Sequence, residues 1–133
     1  MKRLIISAAI SAAALFAATN AYAFCVVCSG TIVQVGGAQA AAIGQTGFFN
    51  DATTVQLGAF QASNTEQLGF DNNATTVQVG AFQASNTEQT GAFNNASTTQ
   101  VGVFQAASIE QNGVGNTASV TQVGVGQSAS ISQ

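Results

Sequence analysis

The sequence predicts an all-β fold: a β-solenoid of strand-turn-strand coils, 22 residues per coil, built from 11-residue half-repeats. Three observations predict it. Gln recurs every eleven residues from Gln34 to Gln133, and Gly stands two places after each of the first nine. Residues 53–67 and 75–89 carry the same fifteen-residue stretch, apart from Leu57 against Val79. Segments between the glycines, such as 72–78 and 83–89, alternate in period two and are rich in Thr. A fixed period of this size marks a stacked repeat, and period-two alternation favours strand over helix.

Residues 1–23 read as a secretory signal peptide. Lys2 and Arg3 precede an apolar run from Leu4 to Ala18, and Ala21-Tyr22-Ala23 is a cleavage site. That run is too short for a membrane span, and no later stretch reaches the roughly 18 apolar residues a span needs. Residues 24–33 are then an N-terminal segment with a cysteine pair, and 34–133 the repeat domain.

Loss of Lys2 and Arg3 moves the formal charge from −3 to −5, carried by Asp51, Glu66, Asp71, Glu88 and Glu110. With no Lys, Arg or His left, nucleic acid is excluded as a partner, because phosphate affinity comes largely from basic side chains. The same lack removes the usual catalytic bases and oxyanion clamps, so no enzyme, cofactor or metal site is expected. Cys25 and Cys28 without a His cannot complete a zinc site. They read as a small local disulfide or as a cross-link to another chain.

The sixth place of each half-repeat shows that the true period is 22. It alternates between Gln39, Gln61, Gln83, Gln105, Gln127 and Asn50, Asn72, Asn94, Asn116. Gly47, Gly58, Gly69, Gly80, Gly91, Gly102, Gly113 and Gly124 supply turns with positive φ. Two strand phases are possible, and one would bury Glu66, Glu88 and Glu110 with no cation to pair them. That cost is prohibitive. The other phase turns inward Asn72, Ala74, Thr76 and Gln78, and their equivalents. It lines the core with Gln45, Gln56, Gln67, Gln78, Gln89, Gln100, Gln111, Gln122 and Gln133. Identical amides stacked at ~4.8 Å should then form hydrogen-bonded ladders. Phe60, Phe82 and Phe104 share one corner and can stack as well. The chain has no Pro, no Lys after cleavage and no capping segment beyond Gln133, so both ends read as open templates for another copy.

The pattern Gln45-x-Gly47-x-x-Asn50-x-Ala52-x-x-x-Gln56 returns at Gln67/Gly69/Asn72/Ala74/Gln78, Gln89/Gly91/Asn94/Ala96/Gln100 and Gln111/Gly113/Asn116/Ala118/Gln122. It resembles the curlin repeat of curli subunits. The resemblance implies a secreted structural subunit that self-assembles into extracellular amyloid fibres of the pilus or fimbrium kind. These serve biofilm matrix, cell adhesion and aggregation on the bacterial surface. It also implies a nucleator subunit and an outer-membrane secretion pore as partners. Gln61, Gln83 and Gln105 stand where the family usually has Ser, and residues 24–37 replace its usual export segment. The uniform repeats and the lack of basic residues favour the major fibre subunit over the minor nucleator. An alternative is a monomeric ice- or surface-binding solenoid using the outward array of Thr53, Thr75, Ser97 and Ser119. Glu66, Glu88 and Glu110 come within glycosidase-like spacing, but the repeat itself forces that spacing, and a solvated face is the simpler reading.

Overall fold

The structure is a computed structural model that describes the backbone of residues 17–133, with side chains from Val26 onward. The basic start of the expected leader and most of its apolar run lie outside the described residues. Among the described residues eight strands follow one another: β1 (Ala17–Val26), β2 (Ser29–Gly37), β3 (Gln39–Phe48), β4 (Asp51–Phe70), β5 (Asn73–Ala92), β6 (Asn95–Val114), β7 (Thr117–Val125) and β8 (Ser128–Ser132). All pairings are parallel, in the order β1-β3-β4-β5-β6-β7, with β2 on β4 and β8 on β6. Each residue lies over its equivalent one coil away, as in Thr53↔Thr75 and Thr75↔Ser97. That constant offset of 22 residues makes the chain the expected β-solenoid.

The two corners of the coil differ. Where two turns per coil were expected, both interrupt the strand in the terminal coils, at Ala38 and at Gly126–Gln127 for the first corner, but only one does so in the coils of β4, β5 and β6. At the first corner β4 runs on through Gly58, and Ala59 and Gln61 keep their partners Ala81 and Gln83. At the second corner the strand breaks around Asp71–Asn72, yet backbone bonds still climb from coil to coil. Asp71 N–H donates to the Phe48 carbonyl at 2.9 Å, and Asn73 N–H to that of Asn94 at 2.8 Å. Asn72 N–H, between them, donates to Asn50 Oδ1, so the three donors at this bend keep their partners.

Burial follows the phase chosen on electrostatic grounds. Asn72, Ala74, Thr76 and Gln78 point inward from one arm, and Gln83, Ser85, Thr87 and Gln89 from the other. Glu66, Glu88 and Glu110 are exposed. The larger aliphatic side chains lie toward the ends of the core, with Ile32 and Ile43 at one and Ile109 and Val120 at the other, while Ala52, Ala74, Ala96 and Ala118 form one unbroken Ala column. Between the two ends the Ile32, Ala41 and Ile43 columns hold Thr54, Thr76 and Thr98, Ser63 and Ser85, and Thr65 and Thr87.

The coil register begins ahead of residue 34, because β2 already pairs Ser29 with Asp51. The boundary expected at 34 therefore lies inside β2. The expected cleavage site also falls inside a strand, since β1 pairs Ala17 through Val26 with Gln39 through Phe48.

Candidate functional site

The chemistry of this chain lies in its buried amides. Two Gln columns cross the core. In the first, each Nε2 donates to the Oε1 one coil on: Gln34 to Gln56 at 2.6 Å, Gln56 to Gln78 and Gln78 to Gln100 at 2.8 Å, and Gln100 to Gln122 at 2.9 Å. The second runs Gln45, Gln67, Gln89, Gln111, Gln133, at 2.8 Å for its first three bonds and 3.2 Å for the last. The remaining Nε2 hydrogen is also used in most rungs. Gln67 donates to the Asp51 carbonyl at 2.9 Å, and Gln78 to the Ala62 carbonyl at 3.2 Å. Each such amide thereby fastens one arm of the coil to the other. Satisfied on both hydrogens, a buried amide stabilises; left unpaired, it would cost roughly 1–3 kcal/mol.

A third column braces the first corner. Gln61 Nε2 lies 3.0 Å from Gln83 Oε1, 3.2 Å from the Leu57 carbonyl and 3.3 Å from the Gly80 carbonyl. Gln39, Gln83 and Gln105 repeat this arrangement. The carbonyl it grips belongs to the turn glycine of the next coil, and that glycine is obligatory. Gly80 has φ 133°, and a Cβ built there would meet the Gly102 carbonyl oxygen at 1.9 Å. The turn column expected from Gly47 to Gly124 all lies at positive φ, at 124° in Gly47 and 134° in Gly124.

The Asn column departs from the expected side-chain ladder. Asn50, Asn72, Asn94 and Asn116 are too short to pass an amide bond upward. Instead the backbone N–H of Asn72 donates to Asn50 Oδ1 at 3.1 Å, and Asn94 and Asn116 repeat it at 3.2 and 3.1 Å. Asn72 Nδ2 turns to the Gly91 carbonyl at 3.2 Å. Cys28 begins this column, its Sγ accepting from Asn50 N–H at 3.2 Å. Cys28 is disulfide-bonded; the side chain of Cys25 lies outside the described residues.

Sequence reasoning missed an outward amide pair. Asn64 Nδ2 donates to Asn86 Oδ1 at 3.2 Å, and Asn86 Nδ2 to Glu88 at 2.9 Å. The 22-residue recurrence of Asn64 and Asn86 was the signal for it. The expected Phe stack is present: Phe60–Phe82 and Phe82–Phe104 are near-parallel, with centroids 5.0 and 4.9 Å apart. Among the described residues no group of His, Cys, Asp and Glu side chains is placed to hold a metal ion.

Every Gln ladder bond points the same way, Nε2 of one coil to Oε1 of the next. The ends are therefore chemically unlike. Gln34 and Gln39 keep an Oε1 without a donor, and Gln122 keeps an Nε2 without an acceptor. Comparison with curated proteins and with solved structures gave no match. Comparison with protein families matched residues 86–124, and again 106–133, to the Curlin associated repeat. The later coils of this solenoid are thus similar to the Curlin associated repeat, and the identity of 53–67 with 75–89 at all but one position shows the same 22-residue period in the earlier ones.

Proposed function

We propose that this chain is a secreted, non-enzymatic curli-type subunit that assembles end to end into extracellular amyloid fibres. The observation that carries the proposal is the mismatch of the two ends. A buried donor waits at Gln122, and buried acceptors wait at Gln34 and Gln39. Stacking one copy on another in the register of the coils would join Gln122 Nε2 to Gln34 Oε1 of the next copy. That continues the column with the same bond made inside each chain. The core Gln amides from Gln45 to Gln133 then act as the side-chain ladders of one fibre, and the column Asn50 to Asn116 runs beside them through backbone N–H to Oδ1 bonds. The uniform coils suit a major subunit better than a nucleator. Removal of residues 1–23, export through an outer-membrane pore and seeding by a nucleator belong to the same reading, as does a role in biofilm matrix and adhesion.

The test is direct. The purified chain without residues 1–23 is left at neutral pH and followed by electron microscopy and fibre diffraction. Fibres with a ~4.7–4.8 Å meridional reflection are expected. A β-rich species that stays monomeric in sedimentation at high concentration would overturn the proposal. That result would favour the second reading, a surface- or ice-binding rod. Its one supporting observation is the half-exposed, in-register column Thr53, Thr75 and Ser97.

A further inference from the structure

We propose that the uncharged half of the coil is a lateral interface, along which a second copy of the solenoid lies side by side with the first. The inference rests on the end-to-end assembly above and adds a second direction of growth to it.

Charge is segregated around the coil. Asp51 and Asp71 flank the second corner, and Glu66, Glu88 and Glu110 stand just ahead of its glycines. The first corner carries none. There, Leu57, Val79 and Val101 form one outward column and Phe60, Phe82 and Phe104 the next, Leu57 at 38 % exposure and Phe60 at 58 %. The aliphatic column begins at Val35 and ends at Val123, so it runs the length of the rod.

Consider how two such rods can touch. Acidic side against acidic side sets carboxylate against carboxylate, with no cation among the described residues to intervene. Acidic side against apolar side removes carboxylates from water without a partner. Only apolar side against apolar side avoids both costs. Both strips also repeat at the same rung spacing, so side chains can interdigitate along the whole contact.

Area decides when the contact holds. Five rungs at ~4.8 Å and a strip roughly 15 Å wide give about 350 Å² per copy, or about 700 Å² for a pair. That falls short of the ~1,000 Å² a specific interface needs. Lone subunits therefore stay single. Subunits already stacked end to end present the strip many times over, and the contact becomes multivalent. Pairing follows elongation.

The experiment is fibre width, measured by electron microscopy on three proteins. The wild-type chain and the control variant Asn73→Glu/Asn95→Glu/Thr117→Glu, an exposed in-register column beside the second corner, should both give fibres two solenoids wide. The variant Leu57→Glu/Val79→Glu/Val101→Glu adds the same charge to the strip and should give single-width fibres. Should that variant form no fibre, Leu57→Thr/Val79→Thr/Val101→Thr decides, since Thr53 and Thr75 show that outward Thr suits this arm; loss of the paired form is expected. Single-width wild-type fibres, or strip variants that still pair, would overturn the lateral interface alone. Equal loss of pairing in the control would do the same, by showing a mere effect of added charge. Absence of any cross-β reflection from the wild-type chain would instead overturn the end-to-end reading, and this inference with it.

Discussion

Thr76 is 1 % exposed and its hydroxyl has no hydrogen-bond partner. Thr54 and Thr98, above and below it, share that condition. An unpaired buried hydroxyl costs on the order of 1–3 kcal/mol. The same column is completed by Ile32 at one end and Val120 at the other, so the site already accepts a branched aliphatic side chain. Thr76→Val keeps the shape and removes the hydroxyl. It should stabilise the chain by about 1 kcal/mol, read as a higher midpoint in thermal or urea unfolding. A lower midpoint would mean that the hydroxyl is paired in solution. The inward place of Thr76 was legible in the sequence, because the opposite phase buried Glu66, Glu88 and Glu110. Its unsatisfied hydroxyl was not, since that depends on how far the facing arm stands off.

At the scale of the corner, a second residue shares the strain with glycine. Phe60, Phe82 and Phe104 have φ of 54°, 54° and 57°, and Phe49 and Phe93 have 57° at the other corner. Left-handed backbone costs a bulky residue roughly 1–2 kcal/mol. Local propensity argues against Phe there, which is why sequence reasoning assigned positive φ to the glycines alone. The offset comes from the neighbouring coil, where each stacked ring pair returns about 0.5–1.5 kcal/mol. At the second corner Asp71 interrupts the ring column, and Phe70 fills the gap, its centroid 5.5 Å from Phe49 and 5.6 Å from Phe93. Toward the C-terminus Gly115 and Gly126 take the strained place, at φ 71° and 69°. A ranking follows. Phe82→Gly loses two stacks but relaxes the backbone, whereas Phe82→Ala loses the stacks and keeps the strain. The Ala variant should melt lower than the Gly variant by about 1 kcal/mol, and both below wild type. Equal melting of the two would show that the φ strain is negligible. The Phe column itself was plain from the 22-residue spacing. The rescue by Phe70 was hidden, because it belongs to a contact between coils and not to any local pattern.

Across the whole rod, two forces run along the axis. Glu66, Glu88 and Glu110 repel one another on a solvated face, and each lies directly over the next. Asn86 donates to Glu88 and Asn64 to Glu66, but Ser108 replaces the Asn beside Glu110. Converting all three Glu to Gln should raise the melting midpoint at low salt. The gain should shrink in ~1 M salt, where the Debye length is about 3 Å. An unchanged midpoint at low salt would mean that the carboxylates swing clear of one another. The second force is register. Deleting residues 73–94 removes one whole coil and leaves every column intact, so the shortened chain should still fold into the solenoid by circular dichroism. Deleting residues 73–83 removes less chain yet should do more damage. It sets Asn94 over Gln61 and Glu88 over Val55, breaking an amide ladder and bringing a charge onto an apolar column. A 73–83 deletion as stable as the 73–94 deletion would show that 11 residues, not 22, is the working unit.

The glycine ladder turns this register into a rule of inheritance. Gly80 admits no Cβ because Gly102 lies against it, and Gly58 is held in the same way by Gly80. A single inserted residue would push every later glycine off its neighbour, so the chain cannot drift in length by small steps. It can lengthen or shorten only by whole coils. A duplicated coil needs no new packing solution, because it meets copies of itself on both sides. The near-identity of 53–67 and 75–89 is what such growth leaves behind: a protein whose variable is a count of coils.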